Sequence, residues 1–347
     1  MKFRPELHFR NSWPQASELK PDQSLLIFDR RLLKFASAKN WIRQFPFLYP
    51  VSAGEQLKEI RAFPKHMEKI IRETEGIPQR PLQIICLGGG SVGDFAGFAA
   101  SILKRGVKLV QIPSTWLAAM DSAHGGKNAL NSAQAKNQIG TFHFASEVFL
   151  IRPLLFLQPA ALAQDALGEA LKISLIEGGS LWKKISLIKI WNEKTLWLLL
   201  PRLIEAKYKV VQKDPFESRG IRQTLNFGHT LGHVFETQLK LSHGQAVLSG
   251  LGFALQFSHH KKILSRNAFS KIQKIPRGRS IPLGIQQAKL LKKLKLAEKQ
   301  LSQDKKRVSS KQNSVQVRFV FLRNPGKTII RPISLPDLLT EIKRQIL

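Results

Sequence analysis

Three side chains of the kind that bind a catalytic metal ion stand in separate motifs of this sequence. Glu169 lies in LGEALK, His229 in NFGHTLGH and His243 at the start of HGQAV, and each has a glycine beside it. One carboxylate and two imidazoles form a ligand set that Zn²⁺ or a related divalent ion takes in catalytic sites, with a fourth position open to substrate. A single histidine on an apolar helix is usually structural, but the three residues together predict a metal site.

A glycine-rich turn is the second feature that could bind a ligand. The segment LGGGSVGD, residues 87–94, follows an apolar β-type run and precedes a helical pattern, and Gly88, Gly90 and Gly93 satisfy G-x-G-x-x-G. Such glycines let the backbone approach a pyrophosphate at the N-terminus of the following helix. The acidic ribose ligand expected about 20 residues later is absent, because the next acidic residue after Asp94 is Asp121. A tight turn that binds nothing therefore stays open as an alternative.

The hydrophobic pattern indicates which elements position these residues. Up to about residue 155, β-type runs at 24–28, 82–87 and 107–112 alternate with polar helical stretches, which is typical of a parallel sheet covered by helices. From residue 159 to about 300, apolar spacings of three and four predict helices, with breaks at Gly178-Gly179 and at Pro201, Pro215, Pro276 and Pro282. A late strand is predicted at 315–322 and a closing helix at 335–347. We therefore expect an α/β N-terminal domain with a parallel sheet, residues 1–157, and a mostly α-helical metal- and substrate-binding domain, residues 158–347.

Composition supports two packed domains. The 347 residues are 43% hydrophobic and 23% charged, which excludes a disordered tail or a coiled-coil rod. The single cysteine, Cys86, cannot form an internal disulfide, and the first residues contain no apolar run of signal-peptide length. No stretch approaches the roughly 18 apolar residues that a membrane span needs. These features predict a cytoplasmic protein with no membrane partner.

The charge is the unusual property of the chain. The formal net charge is +31, and residues 261–347 contain 22 of the basic residues against 4 acidic ones. Such a field attracts phosphorylated metabolites, nucleic acids and acidic surfaces. The basic residues lack the interleaved aromatic side chains that stack on bases. The sequence therefore predicts weak, nonspecific binding of polyanions and does not favour nucleic-acid recognition as the primary function.

Six motifs, in order and spacing, resemble the 3-dehydroquinate synthase family over about residues 24–330. They are GGGSVGDFAGFAA, IPSTWLAAMDSAHGGK, KNQIG, GEALK, RQTLNFGHTLGH and HGQAV. The family is related in fold to glycerol and iron-dependent alcohol dehydrogenases. The resemblance implies that residues 1–157 bind NAD, that residues 158–347 bind one divalent ion, zinc or cobalt, and that the protein is a homodimer. It also implies a lyase of the shikimate pathway that converts 3-deoxy-D-arabino-heptulosonate 7-phosphate to 3-dehydroquinate and phosphate. The implied steps are transient oxidation by NAD, phosphate elimination, re-reduction and intramolecular aldol closure.

The resemblance also assigns roles residue by residue. The metal ligands are Glu169, His229 and His243. The substrate-facing residues are Asp121, Lys127, Asn137, Lys172, Lys207, Arg222, Asn226 and His233, together with a late lysine, Lys305 or Lys306, that closes over the phosphate. Arg105 matches an arginine that reaches into the partner subunit's site. The nucleotide-binding residues are Asp29, Glu55 and Lys58 on the adenosine side, and Gly89, Gly90, Asp94, Ser114, Thr115, Leu117, Asp121, Ser122, Lys136 and Asn137 on the pyrophosphate and nicotinamide side.

One departure from the family pattern bears on the metal. Family members usually have Glu where Gln245 follows His243-Gly244, and loss of that charge would weaken support of the metal ligands or change the metal preference. Two other functions therefore stay open. One is a different sugar-phosphate cyclase with the same fold, and the other is a divergent, non-catalytic paralogue that binds polyanions through residues 261–347.

Overall fold

The computed structural model describes residues 3–78, 80–133, 135–277, 301, 307–309 and 315–346. The chain divides into two compact units, residues 1–162 and residues 163–347, here called unit 1 and unit 2. The domain limit that the sequence places after residue 157 stays a prediction. Among the described residues, no helix combines the length and the apolar character needed to cross a bilayer.

Unit 1 is built on a parallel sheet, as the alternating pattern predicts. Its strands are β1 (Glu6–Arg10), β2 (Ser24–Asp29), β3 (Phe47–Val51), β4 (Gln83–Gly88), β5 (Lys108–Pro113), β6 (Lys127–Leu130), β7 (Ile139–Phe142) and β8 (Glu147–Ile151). Six of them pair in parallel in the order β1-β8-β5-β4-β2-β3, while β6 and β7 form a separate antiparallel hairpin. Every residue of β2 and β4 is buried, which explains why both read as continuous apolar runs.

The helices of this part of the chain are α1 (Ala36–Ile42), α2 (Phe63–Glu73), α3 (Gly90–Ile102) and α4 (Arg152–Leu155), and α5 (Ala160–Asp165) contains the division between the two units. Helix α3 starts directly after β4 and packs against β4 and the β6–β7 hairpin. This strand-to-helix connection contains the glycine-rich turn. The turn therefore lies at the carboxyl edge of the central strands, where parallel α/β sheets bind their ligands.

Unit 2 is mostly helical. It contains α6 (Leu167–Glu177), α7 (Gly179–Leu187), α8 (Glu193–Val211), α9 (His229–Leu239), α10 (His243–His260), α11 (Arg266–Arg277) and α12 (Leu335–Ile346), with strands β9 (Arg307–Ser309), β10 (Val315–Asn324) and β11 (Lys327–Ser334). Helix α10 packs on α6, α9 and β10. The three strands form an antiparallel sheet in the order β11-β10-β9. The predicted late strand is confirmed as β10 and the closing helix as α12, whereas β11 was not predicted, because it contains a proline and is only half-buried, as edge strands often are.

One of the predicted helix breaks is wrong, because Pro201 lies inside α8. Pro276 is the second-last residue of α11, and the break predicted there stays a prediction. An internal proline removes one backbone hydrogen bond and costs about 3 kcal/mol relative to alanine. In α8 the ring of Pro201 is exposed, while Leu199, Leu200 and Leu203 on the opposite face are buried, so packing holds the helix together across the proline. Gly178 does separate α6 from α7, Pro215 follows the end of α8, and Pro282 lies outside the described residues.

Candidate metal centre and nucleotide-binding turn

The structure brings Glu169, His229 and His243 together in unit 2. His229 Nε2 is 3.2 Å from Glu169 Oε1, and His243 Nε2 is 3.3 Å from the same oxygen. Glu169 is fully buried, and its other oxygen, Oε2, lies 2.5 Å from Lys172 Nζ. In the described part of the chain, these three residues are the one group of His, Cys, Asp or Glu side chains that converges closely enough to hold a metal ion.

Close contact between two glycines positions two of the three side chains. Gly168 precedes Glu169 on α6, and Gly244 follows His243 on α10. A Cβ atom on Gly168 would lie 2.4 Å from the carbonyl oxygen of Gly244, so neither helix has room for a side chain at this crossing. The backbones of α6 and α10 therefore approach closely beside the candidate ligands, which brings the Glu169 carboxylate to the His243 ring.

The surroundings shift the pKa values of the three groups differently. Burial would raise the pKa of Glu169, but the charge of Lys172 and the contacts with His229 hold it well below its ordinary value. Burial and Lys172 lower the pKa of His229 despite Glu169. Burial would also lower the pKa of His243, but its contacts with Glu169 and Glu236 raise that pKa to about 10. Glu169 is therefore ionised and His229 neutral, as metal binding requires, whereas His243 must release a proton first.

This donor set fits a divalent ion. A tetrahedral ion with bonds of about 2.0–2.2 Å holds its ligand atoms roughly 3.3–3.6 Å apart. The separations of 3.2 Å and 3.3 Å between the Glu169 oxygen and the histidine nitrogens are close to that range, and the ligand atoms of the three residues all lie within 4.8 Å of one another. Carboxylate and imidazole donors suit zinc and neighbouring transition metals. The residues present therefore fit the metal site predicted from the sequence.

Two acidic residues that the sequence reasoning missed hold His243 in place. Glu236 on α9 has Oε2 3.0 Å from His243 Nδ1. Asp165 accepts a hydrogen bond from the hydroxyl of Ser242 and lies 3.3 Å from the backbone nitrogens of Gly244 and Gln245, so it caps the N-terminus of α10. Glu236 could have been found from its spacing, because residues 229, 233 and 236 share one helix face. Asp165 lies far from His243 in the sequence and has no comparable signal.

The side chain of Gln245 forms no hydrogen bond with the candidate metal ligands. Its Oε1 lies 3.4 Å from the backbone nitrogen of Ser242, and Ser242 in turn accepts from the backbone nitrogen of Gln245. This reciprocal arrangement is a capping box, which satisfies free backbone N–H groups at the start of α10. The carboxylate that contacts the candidate ligand His243 comes from Glu236, so a neutral residue at 245 does not remove it.

The predicted substrate-facing residues of unit 2 lie on the elements around the candidate metal ligands Glu169, His229 and His243. Lys172 is on α6, Lys207 on α8 and His233 on α9, and Arg222 and Asn226 lie in the 3₁₀ helix Ile221–Asn226. This 3₁₀ helix packs against both α6 and α8. Lys172, Lys207 and Arg222 are at most 5% exposed, so their positive charges are largely withdrawn from water. His233 is exposed, and its ring centroid lies 5.3 Å from that of His229.

Asp214 fixes the loop that leads to Arg222. Its Oδ1 accepts from the backbone nitrogen of Arg219 at 3.0 Å, and its Oδ2 accepts from that of Arg222 at 3.1 Å. Burial would raise the pKa of Asp214, but these backbone hydrogen bonds lower it. Arg222 also donates to the carbonyl oxygen of Pro215 at 2.7 Å. The buried aspartate therefore determines where the Arg222 backbone lies.

In unit 1 the glycine turn is surrounded by predicted nucleotide-binding residues. Gly89 precedes α3, whose N-terminus has no side-chain cap and no acidic residue in its first turn. A Cβ atom on Gly90 would lie 3.2 Å from Ser122 Oγ, and one on Gly89 would lie 3.1 Å from the Thr115 side chain. The backbone nitrogen of Ser114 donates to the Gly88 carbonyl at 2.9 Å. Ser114, Thr115 and Ser122, which follow β5, therefore line the turn, and Leu117 and Asp121 belong to the same segment.

A second group in unit 1 is connected by polar contacts. Lys58 Nζ lies 2.5 Å from Asp94 Oδ2 and also contacts the Asn137 side chain. Asn131 donates to Glu55 Oε2 at 2.8 Å and accepts from the backbone nitrogen of Asn137 at 2.9 Å. Lys136 Nζ is 3.9 Å from Glu55 Oε1. The structure thus joins Glu55, Lys58, Asp94, Lys136 and Asn137, and Asn131 is a member that the sequence reasoning missed.

The remaining predicted residues lie elsewhere. Asp29 ends β2, the strand next to β4. Lys127 is exposed on β6. Arg105 follows the C-terminal end of α3, so the helix, about 20 Å long, separates it from the glycine turn within one chain. Lys305 and Lys306 lie outside the described residues.

Solved structures show which fold this is. A 2-deoxy-scyllo-inosose synthase complexed with carbaglucose-6-phosphate, NAD⁺ and Co²⁺ matches with a TM-score of 0.80 and 21% identity, covering 98% of this chain and 96% of that chain. A 2-epi-5-epi-valiolone synthase from Streptomyces hygroscopicus matches with a TM-score of 0.76 and 19% identity, covering 99% of this chain and 98% of that chain. An iron-containing alcohol dehydrogenase matches with a TM-score of 0.59 and 15% identity, covering 100% of this chain and 98% of that chain. The protein therefore has the fold common to these synthases and to the iron-containing alcohol dehydrogenases.

Sequence similarity specifies the family. Family models described as 3-dehydroquinate synthase N-terminal and C-terminal match residues 48–163 and 166–307. A 3-dehydroquinate synthase of Leptospira interrogans is 35% identical over 303 residues, covering 85% of this chain and 80% of the relative. One of Pelagibacter ubique is 32% identical over 337 residues, covering 92% of this chain and 88% of the relative. The chain belongs to the 3-dehydroquinate synthase family, as its motifs predict.

Proposed function

We propose that this chain is a 3-dehydroquinate synthase, which converts 3-deoxy-D-arabino-heptulosonate 7-phosphate to 3-dehydroquinate and phosphate. The observation that carries the proposal is the cluster of Glu169, His229 and His243 in a chain of this family. The reaction combines oxidation, phosphate elimination, reduction and ring closure. It therefore needs a redox cofactor, a Lewis acid and positive charges that hold two anionic groups.

Glu169, His229 and His243 would hold one divalent ion, zinc or cobalt, which supplies Lewis-acid catalysis at a substrate hydroxyl. The carboxylate of Glu236 keeps the His243 ring oriented, with its proton on Nδ1 and Nε2 turned toward the metal position. Lys172 neutralises the second oxygen of Glu169. The candidate ligands are thus positioned before the ion binds.

The glycine turn and the polar residues around it would hold NAD, which supplies reversible hydride transfer. The uncapped N-terminus of α3 suits a pyrophosphate, because its free N–H groups and helix dipole favour negative charge. Asp29, Glu55 and Lys58 would contact the adenosine side, and Asp94, Asp121, Ser122, Lys136 and Asn137 the remainder. This arrangement requires no acidic residue about 20 positions after the turn.

Lys172, Lys207 and Arg222 would bind the carboxylate and the phosphate of the substrate. Because these cations are buried, they act in a medium of low dielectric constant, where a fixed charge stabilises an anion more strongly than in water. Asn226 and His233 would hydrogen-bond substrate hydroxyls, and Lys305 or Lys306 would close over the phosphate. Asp121, Lys127 and Asn137 are the other residues that we propose to contact substrate. We further propose a cytoplasmic homodimer, in which Arg105 serves the partner subunit's site.

The test is release of inorganic phosphate from 3-deoxy-D-arabino-heptulosonate 7-phosphate by the full chain, with and without NAD⁺, after chelation and after re-addition of Zn²⁺ or Co²⁺. We expect release only with both cofactors and no net accumulation of NADH. His229→Ala should lose bound metal and turnover, whereas His259→Gln, about 24 Å along α10 from His243, should keep both. NADH formed in proportion to product, or no phosphate release from the fully loaded protein, would refute the proposal.

The structural similarity to other synthases supports a second candidate, a cyclase for a different sugar phosphate. A hexose phosphate offered in the same assay distinguishes the two functions, because only this candidate predicts that it is the better substrate. The basic segment 261–347 supports the weak polyanion binding expected from the sequence. Such binding should fall steeply with salt, because it depends on counterion release. A sequence-selective DNA complex that persists at physiological salt would favour the non-enzymatic paralogue.

A further inference from the structure

Asp29 stands where dinucleotide-binding sheets place their ribose ligand. Phe28 pairs with Leu87 across the parallel strands β2 and β4. Asp29, the last residue of β2, therefore lies beside Gly88, where the glycine turn starts. In dinucleotide-binding folds the acid that binds the adenosine 2′-hydroxyl belongs to the strand adjacent to the glycine strand. The carboxylate is therefore in the right place although it comes from earlier in the chain.

The Asp29 carboxylate forms an ion pair with an arginine side chain. Arg31 Nε donates to Asp29 Oδ1 at 3.1 Å and to Oδ2 at 3.0 Å, and Arg31 Nη2 donates to Oδ2 at 2.8 Å. The Asp29 side chain is 7% exposed and that of Arg31 is 66% exposed. The guanidinium rather than the carboxylate therefore forms the accessible surface at this position.

The local charge is positive. Arg30, Arg31 and Lys34 are exposed on the 3₁₀ helix that follows β2, and Asp29 is the one acid at its N-cap. Glu55, the other acid expected on the adenosine side, is held by Asn131 and lies near Lys136. An unpaired acid at the end of β2 would repel a phosphate on the adenosine 2′-oxygen. Here that repulsion is cancelled, and a planar cation suited to phosphate takes the place of the acid at the surface.

We propose that the Asp29–Arg31 pair lets the nucleotide site accept a 2′-phosphorylated dinucleotide, NADP⁺, as well as NAD⁺, with Arg31 binding the additional phosphate. The inference rests on the proposed binding of NAD to unit 1. The contacts with Asp29 use Arg31 Nε and Nη2, so Nη1 of this exposed guanidinium can bind the phosphate while the ion pair stays intact. An arginine near the ribose accommodates the 2′-phosphate in other dinucleotide-binding proteins.

Isothermal titration of the full chain with NAD⁺ and with NADP⁺, without substrate, tests the proposal. We expect the two dissociation constants of the wild type to agree within about tenfold. Arg31→Gln should weaken NADP⁺ binding by about tenfold to a hundredfold, the effect of losing a hydrogen bond to a charged group, and leave NAD⁺ binding within about threefold. Arg43→Gln, which changes another exposed arginine of unit 1, should alter neither constant.

Two results would overturn the inference while the proposed function stands. They are NAD⁺ binding with NADP⁺ more than about a hundredfold weaker in the wild type, and an unchanged ratio of the two constants in Arg31→Gln. Absence of binding for both dinucleotides would refute the inference together with the proposed NAD site. Asp29→Asn separates the roles further, because it should weaken NAD⁺ binding more than NADP⁺ binding.

Discussion

The imidazole of His243 is held by the carboxylate of Glu236, whose Oε2 lies 3.0 Å from His243 Nδ1. The two residues belong to consecutive helices, α9 and α10. The contact leaves His243 Nε2 directed at Glu169, 3.3 Å away. A carboxylate that hydrogen-bonds the far nitrogen of a ligand histidine fixes the ring and its tautomer, which raises its affinity for a metal.

Replacing Glu236 tests this role. Glu236→Gln should weaken Zn²⁺ or Co²⁺ binding by about tenfold to a hundredfold, because the ring loses its charged partner but the ligands remain. Competition with a chromophoric chelator measures the affinity. Glu193→Gln in the first turn of α8 is the matched control and should leave it unchanged. Equal affinities for Glu236→Gln and the wild type would show that the contact does not support metal binding.

The buried pair of Glu169 and Lys172 should be strongly coupled in the metal-free protein. Glu169→Gln or Lys172→Met alone leaves a buried charge without its partner, so each should lower the free energy of unfolding by about 3–5 kcal/mol. The double variant should lose clearly less than both losses together. Urea unfolding after chelation gives the values.

The partly exposed pair of Glu177 and Lys209 provides the control for this cycle. Its coupling should be at most about 1 kcal/mol, because solvent screens the charges. Additive effects in the Glu169 and Lys172 cycle would contradict the prediction and show that water or relaxation already compensates the buried charges.

The raised pKa of His243 predicts a pH dependence for the metal-free protein. Folding raises this pKa from an ordinary value of 6.5 to about 10 through Glu169 and Glu236. Protonation of His243 therefore stabilises the folded state fully below pH 6.5, and the stabilisation is lost as the pH rises toward 10. The Tm of the chelated protein should fall over that window, and the fall should be smaller in His243→Gln. Metal affinity should rise over the same window, because binding displaces the proton. Identical pH profiles of Tm for both proteins would contradict the assignment.

Asp214 should control both stability and substrate affinity. Asn at this position has one acceptor oxygen in place of two, so Asp214→Asn leaves the backbone N–H of Arg219 or Arg222 without its partner. We expect a loss of about 1–3 kcal/mol in the free energy of unfolding and a raised KM with a smaller change in kcat, because the Arg222 loop is displaced. Asn192→Asp, at the N-cap of α8, is a control that should change neither KM nor kcat. An unchanged KM would show that this loop does not position the substrate.

The sequence shows the three central strands of unit 1 as apolar runs because β2 and β4 are buried over their whole length and β5 is buried at every residue after Lys108. β2, β4 and β5 begin and end within one or two residues of the predicted runs. The break predicted at Pro201 failed because a local preference against proline is outweighed where a helix face packs against its neighbours. Strand β11 was missed because a half-buried edge strand carries a weak hydrophobic signal.

The sequence by itself determined the donor types, the glycine turn and the family, because motif order and residue chemistry are local properties. Tertiary structure alone decided that Gly168 and Gly244 meet, that Glu236 and Asp165 support His243, and that Arg31 covers Asp29. The first two depend on how helices cross, and helix crossing is set by packing between segments distant in the chain. The third depends on the geometry of the turn after β2, which brings the Arg31 side chain into an ion pair with Asp29. Matching of motifs gives no sign of this pair.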